Sequence, residues 1–234
     1  MARTVNVEER TIKRDVFVDV AARRIQSQGY ARMSIQDVLD DVGASRGAFY
    51  HYFDSKQALL EAVIDRMGDA AIASMGGALD DPGSTAPQKF DLVFASIGSY
   101  KVARHDLVMA ILDVWLSDEN AIVREKFRRY VATRMTPLLA SIIRQGACEG
   151  SMAVDDPDAA AIVVVTLILG VNELAGHLFV AHRAGTASIG SIVATFEAFR
   201  ASVERILGLP DGTLHLVDEA TLRWWFEQPM KEPA

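Results

Sequence analysis

Three observations predict an all-α fold for this chain of 234 residues. Apolar residues recur at intervals of three and four along most of its length. The alternation that is typical of strands never persists beyond a few residues, and helix start and stop signals separate the periodic segments. Half of the residues are hydrophobic, which is enough for a packed core. A small helical domain followed by a larger one is therefore expected.

The first predicted helix covers residues 8–29. Glycine readily adopts the left-handed conformation that ends helices, and Gly29 therefore marks its end. Its buried face is predicted from five apolar residues at helical spacing, which are Ile12, Val16, Val20, Ala21 and Ile25. Near its start, Arg10, Lys13 and Arg14 are expected on a solvated face, with a phosphate contact by one of them as the alternative.

Two short helices joined by a glycine turn are predicted next. Ser34 can cap the first helix, because Asp37 three residues later can bond back to the cap amide. Gly43 ends this helix, and Ser45 can cap a second one over residues 46–53. Two short helices with a tight turn between them form a helix-turn-helix, whose second helix enters the major groove of DNA.

Spacing divides the second of these helices into faces. Phe49 and Phe53 lie on one face and are predicted to belong to the core, whereas Arg46 and Tyr50 share another face. An exposed face that carries an arginine and a tyrosine is suited to DNA contact.

The letters VGASRGAFYHYF at residues 42–53 are followed by Ser55-Lys56 and Leu59-Leu60. This pattern resembles the tetracycline-repressor (TetR) family of transcriptional regulators. The resemblance implies a three-helix DNA-binding domain at residues 1–54 and a helical effector-binding and dimerisation domain at residues 55–234. It also implies a repressor that a small hydrophobic or aromatic effector releases from a double-stranded DNA operator.

The predicted DNA-binding set follows from this resemblance. Arg46 is expected to read a base edge, because its guanidinium fork fits guanine O6 and N7. Gly47 permits close approach, while tyrosine hydroxyls donate to phosphates. Partial packing of Tyr52 against the first helix and simple solvent exposure of His51 remain alternatives. Seven residues match family positions that touch DNA, and two more open the first motif helix, which gives Ser34, Gln36, Ser45, Arg46, Gly47, Tyr50, His51, Tyr52 and Lys56.

A helix over residues 55–76 follows, with Leu59, Leu60, Val63, Ile64 and Met67 on its inner side. Lys56 at its start is placed to meet a phosphate with help from the helix dipole. In the resembled family this helix links the DNA-binding domain to the larger domain.

The larger domain is predicted to hold five further helices, near residues 87–103, 106–117, 120–147, 157–183 and 188–207. Pro137 should kink or split the third of these. The helix at 157–183 is apolar nearly all round, and the next helix carries a long apolar stripe. One chain can hardly cover both, so a homodimer is expected, as in the resembled family. The segment with Trp224 and Trp225 is predicted to pack on the domain or at the dimer interface; a surface for another protein is the alternative.

One polar stripe of the helix at 157–183 has two interpretations. Thr166, Gly170, Glu173 and His177 share a face. Pairing of Glu173 with His177 at a dimer crossing is favoured over a ligand or metal site. Resemblance implies an effector cavity, with Phe94, Tyr100, Met109, Trp115, Tyr130, Met135 and Asn172 as candidate lining. Ordinary core packing, in a domain that has no effector, is the alternative.

Composition excludes several classes of protein. The net charge is -7, but residues 1–66 hold ten basic and ten acidic residues, so the acidity lies outside the predicted DNA-binding part. A single cysteine, Cys148, excludes a disulfide framework and fits the cytoplasm. No motif for catalysis, cofactor or metal binding stands out, so an enzyme is not expected. The longest apolar run, 13 residues at 159–171, predicts no membrane span. A helical protein-binding module without DNA-binding activity is the alternative function.

Overall fold

The structure is a computed structural model that describes residues 2–79 and 81–228, with side chains from residue 9 onwards except those of residues 78, 79 and 113. All regular elements of the described residues are helices, which confirms the predicted all-α class. The chain divides into two compact units. The first unit comprises the described residues up to Asp69 together with Arg104–Val123. The second unit comprises Ala70–Ala103 and the described residues from Arg124 onwards. The predicted domain boundary between residues 54 and 55 stays a prediction.

The first unit is built from five α-helices, the fourth of which continues past the unit boundary. The helices are α1 (Ala2–Gln28), α2 (Ile35–Val42), α3 (Arg46–Tyr50), α4 (Lys56–Ala73) and α7 (His105–Leu116). A short 3-10 helix at Asp118–Asn120 follows the last of them. Helix α1 packs against both α2 and α7.

Aromatic rings hold the second motif helix against the first helix. The Phe17 ring centroid lies 5.8 Å from that of Phe49 and 6.1 Å from that of Phe53, and both pairs meet edge to face. Phe49 is completely buried and Phe53 is 3% exposed. Their predicted place in the core is therefore confirmed, and aromatic pairing of this kind adds about 0.5–1.5 kcal/mol beyond burial alone.

Two predictions about these helices are wrong in detail. Ile12 and Val16 are 64% and 41% exposed, while Phe17 is buried in their place. Residues four apart differ in direction by about 40° around a helix. Ile12 and Val16 therefore point away from the core, and Phe17 takes the buried position. Helix α3 ends at Tyr50 rather than at residue 53, and the chain turns through His51 and Tyr52.

The second unit has four of the five helices predicted for the larger domain; the one predicted near residues 106–117 is α7, which lies in the first unit. The helices of the second unit are α5 (Gly76–Leu79), α6 (Ala86–Val102), α8 (Ala121–Glu149), α9 (Pro157–Arg183), α10 (Ile189–Leu207) and α11 (Glu219–Glu227). Pro137 lies inside α8 without splitting it, since the missing amide costs one hydrogen bond in a helix that packing supports along its length. Phe90, Leu139, Ile143, Val164 and Val203 are among the fully or almost fully buried residues of its core.

Helix α9 keeps one apolar face exposed. Its inner residues, including Val164 and Ile168, are buried, but Ile162 and Val163 are 58% and 48% exposed. Leu174 and Val180 continue this outer face, at 42% and 46%. A single chain therefore does not cover the helix, as the sequence indicated.

Helix α9 is also long and apolar enough to cross a membrane, judged by length and composition alone. The prediction of no span rested on the unbroken apolar run of 13 residues, whereas the whole helix has 27 residues. Only 28% of the most apolar window is buried within the chain. Core helices of soluble proteins pass the same test.

The C-terminal segment is fastened to the second unit at two places. Glu204, only 1% exposed, accepts hydrogen bonds from the backbone amides of Leu214 and Gly212, at 2.8 and 3.3 Å. In α11, the Phe226 ring lies 5.9 Å from that of Phe179 on α9. Packing of this segment on the larger domain is thus confirmed.

Candidate nucleic-acid interface

Capping residues fix both helices of the motif. The Ser34 hydroxyl accepts from the Asp37 amide at 3.1 Å, and the Asp37 carboxylate accepts from the Ser34 amide at 2.8 Å. These bonds lower the pKa of Asp37 because they stabilise its charged form. Gly43, at φ 69°, ends α2 in the left-handed region. Ser45 then caps α3 by accepting from the Ala48 amide at 3.2 Å. The predicted capping box and glycine turn are therefore present.

Helix α3 turns a polar face to solvent. Arg46, Gly47 and His51 are exposed, and Tyr50 is 49% exposed. Arg46 makes no hydrogen bond or ion pair with the described residues, so its guanidinium is available to another molecule. A Cβ built on Gly47 would meet only the Ser45 hydroxyl, at 3.9 Å. The fold itself does not require glycine there, which suits close approach by a second molecule.

Ser34, Ser45 and Gln36 are all exposed. Ser34 and Ser45 use their hydroxyl oxygens as acceptors within the chain, and each O–H remains able to donate to a phosphate. Gln36 is exposed and donates to Asp40 on the next turn at 2.7 Å.

Tyr52 has the packing role that the sequence left as an alternative, while part of it remains accessible. Its ring lies 5.8 Å from that of Phe17 and 5.0 Å from that of His51. The residue is partly buried, so its hydroxyl can still reach a partner outside the chain.

Lys56 is engaged within the chain. Its ammonium lies 4.3 Å from the centroid of the Tyr30 ring and donates to the Ala31 carbonyl at 3.3 Å. Burial lowers the pKa of Lys56, because removal from water penalises the charged form. A phosphate contact by Lys56 would have to share its ammonium with these two partners.

Internal ion pairs take up other cations of the first unit. Arg24 forms a two-bond pair with Asp41, at 2.6 Å for each bond, and Arg66 lies 2.8 Å from Asp19. These pairs join α1 to α2 and to α4. They therefore stabilise the packing of the helices and do not leave these arginines free to bind another molecule. Arg24 and Arg66 are therefore committed to contacts within the first unit, whereas Arg46 is not.

The candidate effector residues are distributed over both units. Met109 and Trp115 lie on α7 in the first unit, and the other five lie in the second unit. Within the second unit, Met135 is buried in the core and Phe94 packs beside Phe199, with ring centroids 6.4 Å apart. The seven-residue effector site stays a prediction.

Two surface grooves of the second unit contain further candidates. Tyr100 lines a groove of about 480 Å³ along α6, together with Leu92 and Ser96. Tyr130 lines a groove of about 490 Å³ along α8, beside Arg129 and Arg134. Asn172 lines neither groove; it accepts a hydrogen bond from Lys101.

The polar stripe of α9 is arranged differently from the prediction. Glu173 pairs with Arg128 at 3.3 Å and with Arg124 at 4.0 Å, both on α8, and not with His177. The sequence weighed only neighbours one turn away, whereas these partners are more than forty positions distant. The described residues contain no group of three or more potential metal ligands.

Sequence reasoning missed Lys101. Lys101 continues the helical spacing of the apolar α6 residues Phe90, Phe94 and Ile97. A lysine at the end of an apolar stripe could have indicated a partly buried cation.

Part of the chain is similar to a known protein family. Residues 17–63 match the family model described as bacterial regulatory proteins, tetR family. The match covers α2, α3 and the beginning of α4, together with the second half of α1. It therefore favours DNA binding over a module that does not bind DNA.

Relatives and solved structures extend this similarity over more of the chain. The HTH-type transcriptional regulator EthR of Mycolicibacterium smegmatis is 22% identical over 182 residues, which cover 68% of this chain and 84% of that protein. A TetR transcription regulator from Haloarcula marismortui has a similar fold, with a TM-score of 0.59 and 20% identity; the match covers 85% of this chain and 97% of the other. A transcriptional regulator from Cytophaga hutchinsonii also has a similar fold, with a TM-score of 0.55 and 20% identity; the match covers 69% of this chain and 80% of the other.

Proposed function

We propose that this chain, which belongs to the tetR family of DNA-binding transcriptional regulators, is a dimeric repressor that an effector releases from its operator. The exposed face of α3 carries this proposal, because Arg46, Tyr50 and His51 face solvent while Phe49 fixes the helix from behind. Members of a family of regulators act by binding rather than catalysis, so the chain is not an enzyme.

The exposed side chains divide into a base reader and phosphate ligands. Arg46 reads a guanine edge, since its guanidinium has no partner among the described residues and can donate to O6 and N7 together. Tyr50, Tyr52 and the hydroxyls of the two capping serines supply neutral donors to phosphates, with Gln36, His51 and Lys56 beside them. Gly47 lets the backbone approach the groove closely.

The charge balance makes a dimer important for affinity. Residues 1–66 have no net charge, so one DNA-binding unit gains little from counterion release. In a two-fold dimer, the DNA-binding parts of the two copies bind two half-sites. Once the first has bound, binding of the second is intramolecular. The exposed apolar face of α9, with Ile162, Val163 and Leu174, is the surface through which two copies join in the cytoplasm.

An effector acts by preferring one spacing of the two DNA-binding units. Its influence is limited by its difference in affinity for the two arrangements, typically about 1–3 kcal/mol. Helix α4 follows α3 in the chain, begins in the first unit and ends in the second unit, so it is the element that transmits the change. Phe94, Tyr100, Tyr130 and Asn172 are the candidates for effector contact within the second unit.

Binding to DNA from the region upstream of its own coding sequence tests this proposal. Fluorescence anisotropy with labelled duplexes is expected to give nanomolar to sub-micromolar affinity for one near-palindromic segment and much weaker binding to scrambled DNA of the same composition. A stable monomer, or equal affinity for every duplex at low salt, would contradict it.

A further inference from the structure

The apolar stripe of α6 ends in a charged residue. Phe90 and Val93 are buried, Phe94 and Ile97 are partly buried against the same core, and Lys101 follows at helical spacing. The Lys101 ammonium donates to the Asn172 side-chain oxygen on α9 at 2.6 Å. A lysine at the edge of an apolar core thus joins two helices of the second unit through a neutral acceptor.

No carboxylate of the described side chains pairs with the positive charge of Lys101. A lysine ammonium has three donors, and among the described residues Asn172 is the partner that the structure gives it. The neighbouring carboxylate on α9, Glu173, is paired with Arg124 and Arg128. Lys101 is partly buried by its accessible surface, and burial lowers its pKa. A desolvated cation without a counter-ion is costly, and an anion that binds beside it recovers part of that cost.

Asn172 is exposed and Lys101 is half-buried, and the apolar residues one and two turns before Lys101 on α6, Ile97 and Phe94, are only partly buried. Partly buried residues of three helices pack against the core of the second unit, among them Phe94 and Ile97 of α6, Phe127 and Tyr130 of α8, and Leu169 of α9. Lys101 lines neither of the two surface grooves, so a ligand would enter by displacing partly buried side chains such as Ile97. A single cation next to such side chains favours a ligand with one negative group and an apolar body.

We propose that the effector is an organic acid whose carboxylate binds Lys101 beside Asn172, at the end of the α6 stripe. This inference rests on the effector-controlled repressor proposed above and names the chemistry of its ligand. The carboxylate takes the place of the Asn172 oxygen as the main acceptor for the ammonium, and a charge-assisted bond is stronger than the neutral one it replaces. The apolar body of the acid packs among the displaced side chains of α6 and α9.

Three matched pairs of probes test the charge requirement. Benzoate, phenylacetate and octanoate are each compared with the amide of the same acid, up to about 10 mM, by thermal unfolding of the full chain. At least one acid is expected to raise the midpoint in a concentration-dependent manner, while its amide has little effect. A Lys101→Met variant should bind that acid at least about tenfold more weakly. Lys126→Met removes an exposed lysine of α8 and should respond as the unchanged protein does.

A second variant tests the same site while keeping Lys101. Asn172→Asp places an internal carboxylate 2.6 Å from the ammonium position, where it competes with the acid. The variant loses the hydrogen bond that the Asn172 amide donates to the Ile168 carbonyl at 2.8 Å, and it is expected to lose the response to acids. Circular dichroism before heating establishes that both variants are folded.

Several outcomes would overturn the inference. They are equal effects of acids and their amides, an undiminished response in Lys101→Met or Asn172→Asp, and no response to any of the three acids. Promoter-DNA binding is measured separately on the same samples without added acid. A chain that binds its promoter but ignores acids defeats this inference alone, and a chain that binds acids but no DNA defeats the proposed repressor instead.

Discussion

Helix α3 and helix α9 each present an exposed face, but the two faces are of opposite character. Helix α3 has five residues, is held by buried Phe49, and exposes Arg46 and Tyr50. Helix α9 has 27 residues, is held by buried Val164 and Ile168, and exposes Ile162 and Val163. Exposure alone therefore does not define a function. A polar face with an uncommitted arginine suits DNA, whereas an apolar face of this length suits another apolar surface.

The largest expected effect comes from a charge on the apolar face of α9. Val163→Asp would place two carboxylates, one from each copy, in an interface without partners, at a cost of about 3–5 kcal/mol for each uncompensated charge. We expect a monomer that no longer binds a two-half-site duplex. Light scattering after gel filtration measures the mass. Val16→Asp changes a similarly exposed valine of α1 and should leave the mass unchanged; a dimeric Val163→Asp protein would remove this face from the interface.

Loss of the ring that supports α3 comes next. Phe49→Ala empties a completely buried site and should reduce the free energy of unfolding of the first unit by about 3–5 kcal/mol. Urea unfolding followed by circular dichroism measures the change. Phe94→Ala in the partly buried edge of the second unit is the matched control and should cost less. Equal losses would mean that the support of α3 is not concentrated in Phe49.

Removal of the uncommitted arginine should affect specificity rather than folding. Arg46→Ala is expected to weaken operator binding by about 1–3 kcal/mol and to relax the preference at one base pair. Competition against operators substituted at each position locates that base pair. Arg144→Ala removes an exposed arginine that pairs with Asp158 in the second unit and should bind as the unchanged protein does. Uniform weakening on all DNA would assign Arg46 to phosphate instead.

Lys56 should have the smallest effect, because Tyr30 and Ala31 already hold its ammonium. If it also contacts a phosphate, Lys56→Ala lowers the slope of log affinity against log salt by about 0.9 in magnitude for each duplex half-site. Anisotropy titrations between low and moderate salt give the slope. An unchanged slope with lower thermal stability would make Lys56 a packing residue only, and Lys126→Ala supplies the comparison.

Local signals explain why the motif could be predicted from the sequence. The capping box of Ser34 and Asp37, the left-handed Gly43 and the cap at Ser45 all involve residues within three or four positions of each other. Their chemistry is contained in short stretches of chain, and it fixes both the helices and the turn between them. The burial of Phe49 and the exposure of Arg46 follow from helical spacing.

Contacts between distant helices explain what the sequence could not give. Phe17 displaced Val16 from the core because its ring meets Phe49 and Phe53, which no periodicity within α1 encodes. Glu173 likewise pairs with Arg128 on α8 rather than with His177 one turn away, because packing between helices brings Arg128 close to it. The bond between Lys101 and Asn172 likewise joins residues far apart in sequence.

The anchoring of Glu204 has a practical consequence for shortened forms of the protein. Its carboxylate is shielded from water and depends on the amides of Gly212 and Leu214, besides Arg200. Truncation just after α10 would remove two of these donors and leave the carboxylate with Arg200 as its remaining partner. Tags and fusion partners are therefore better tolerated after α11, where their attachment leaves the carboxylate its full set of donors.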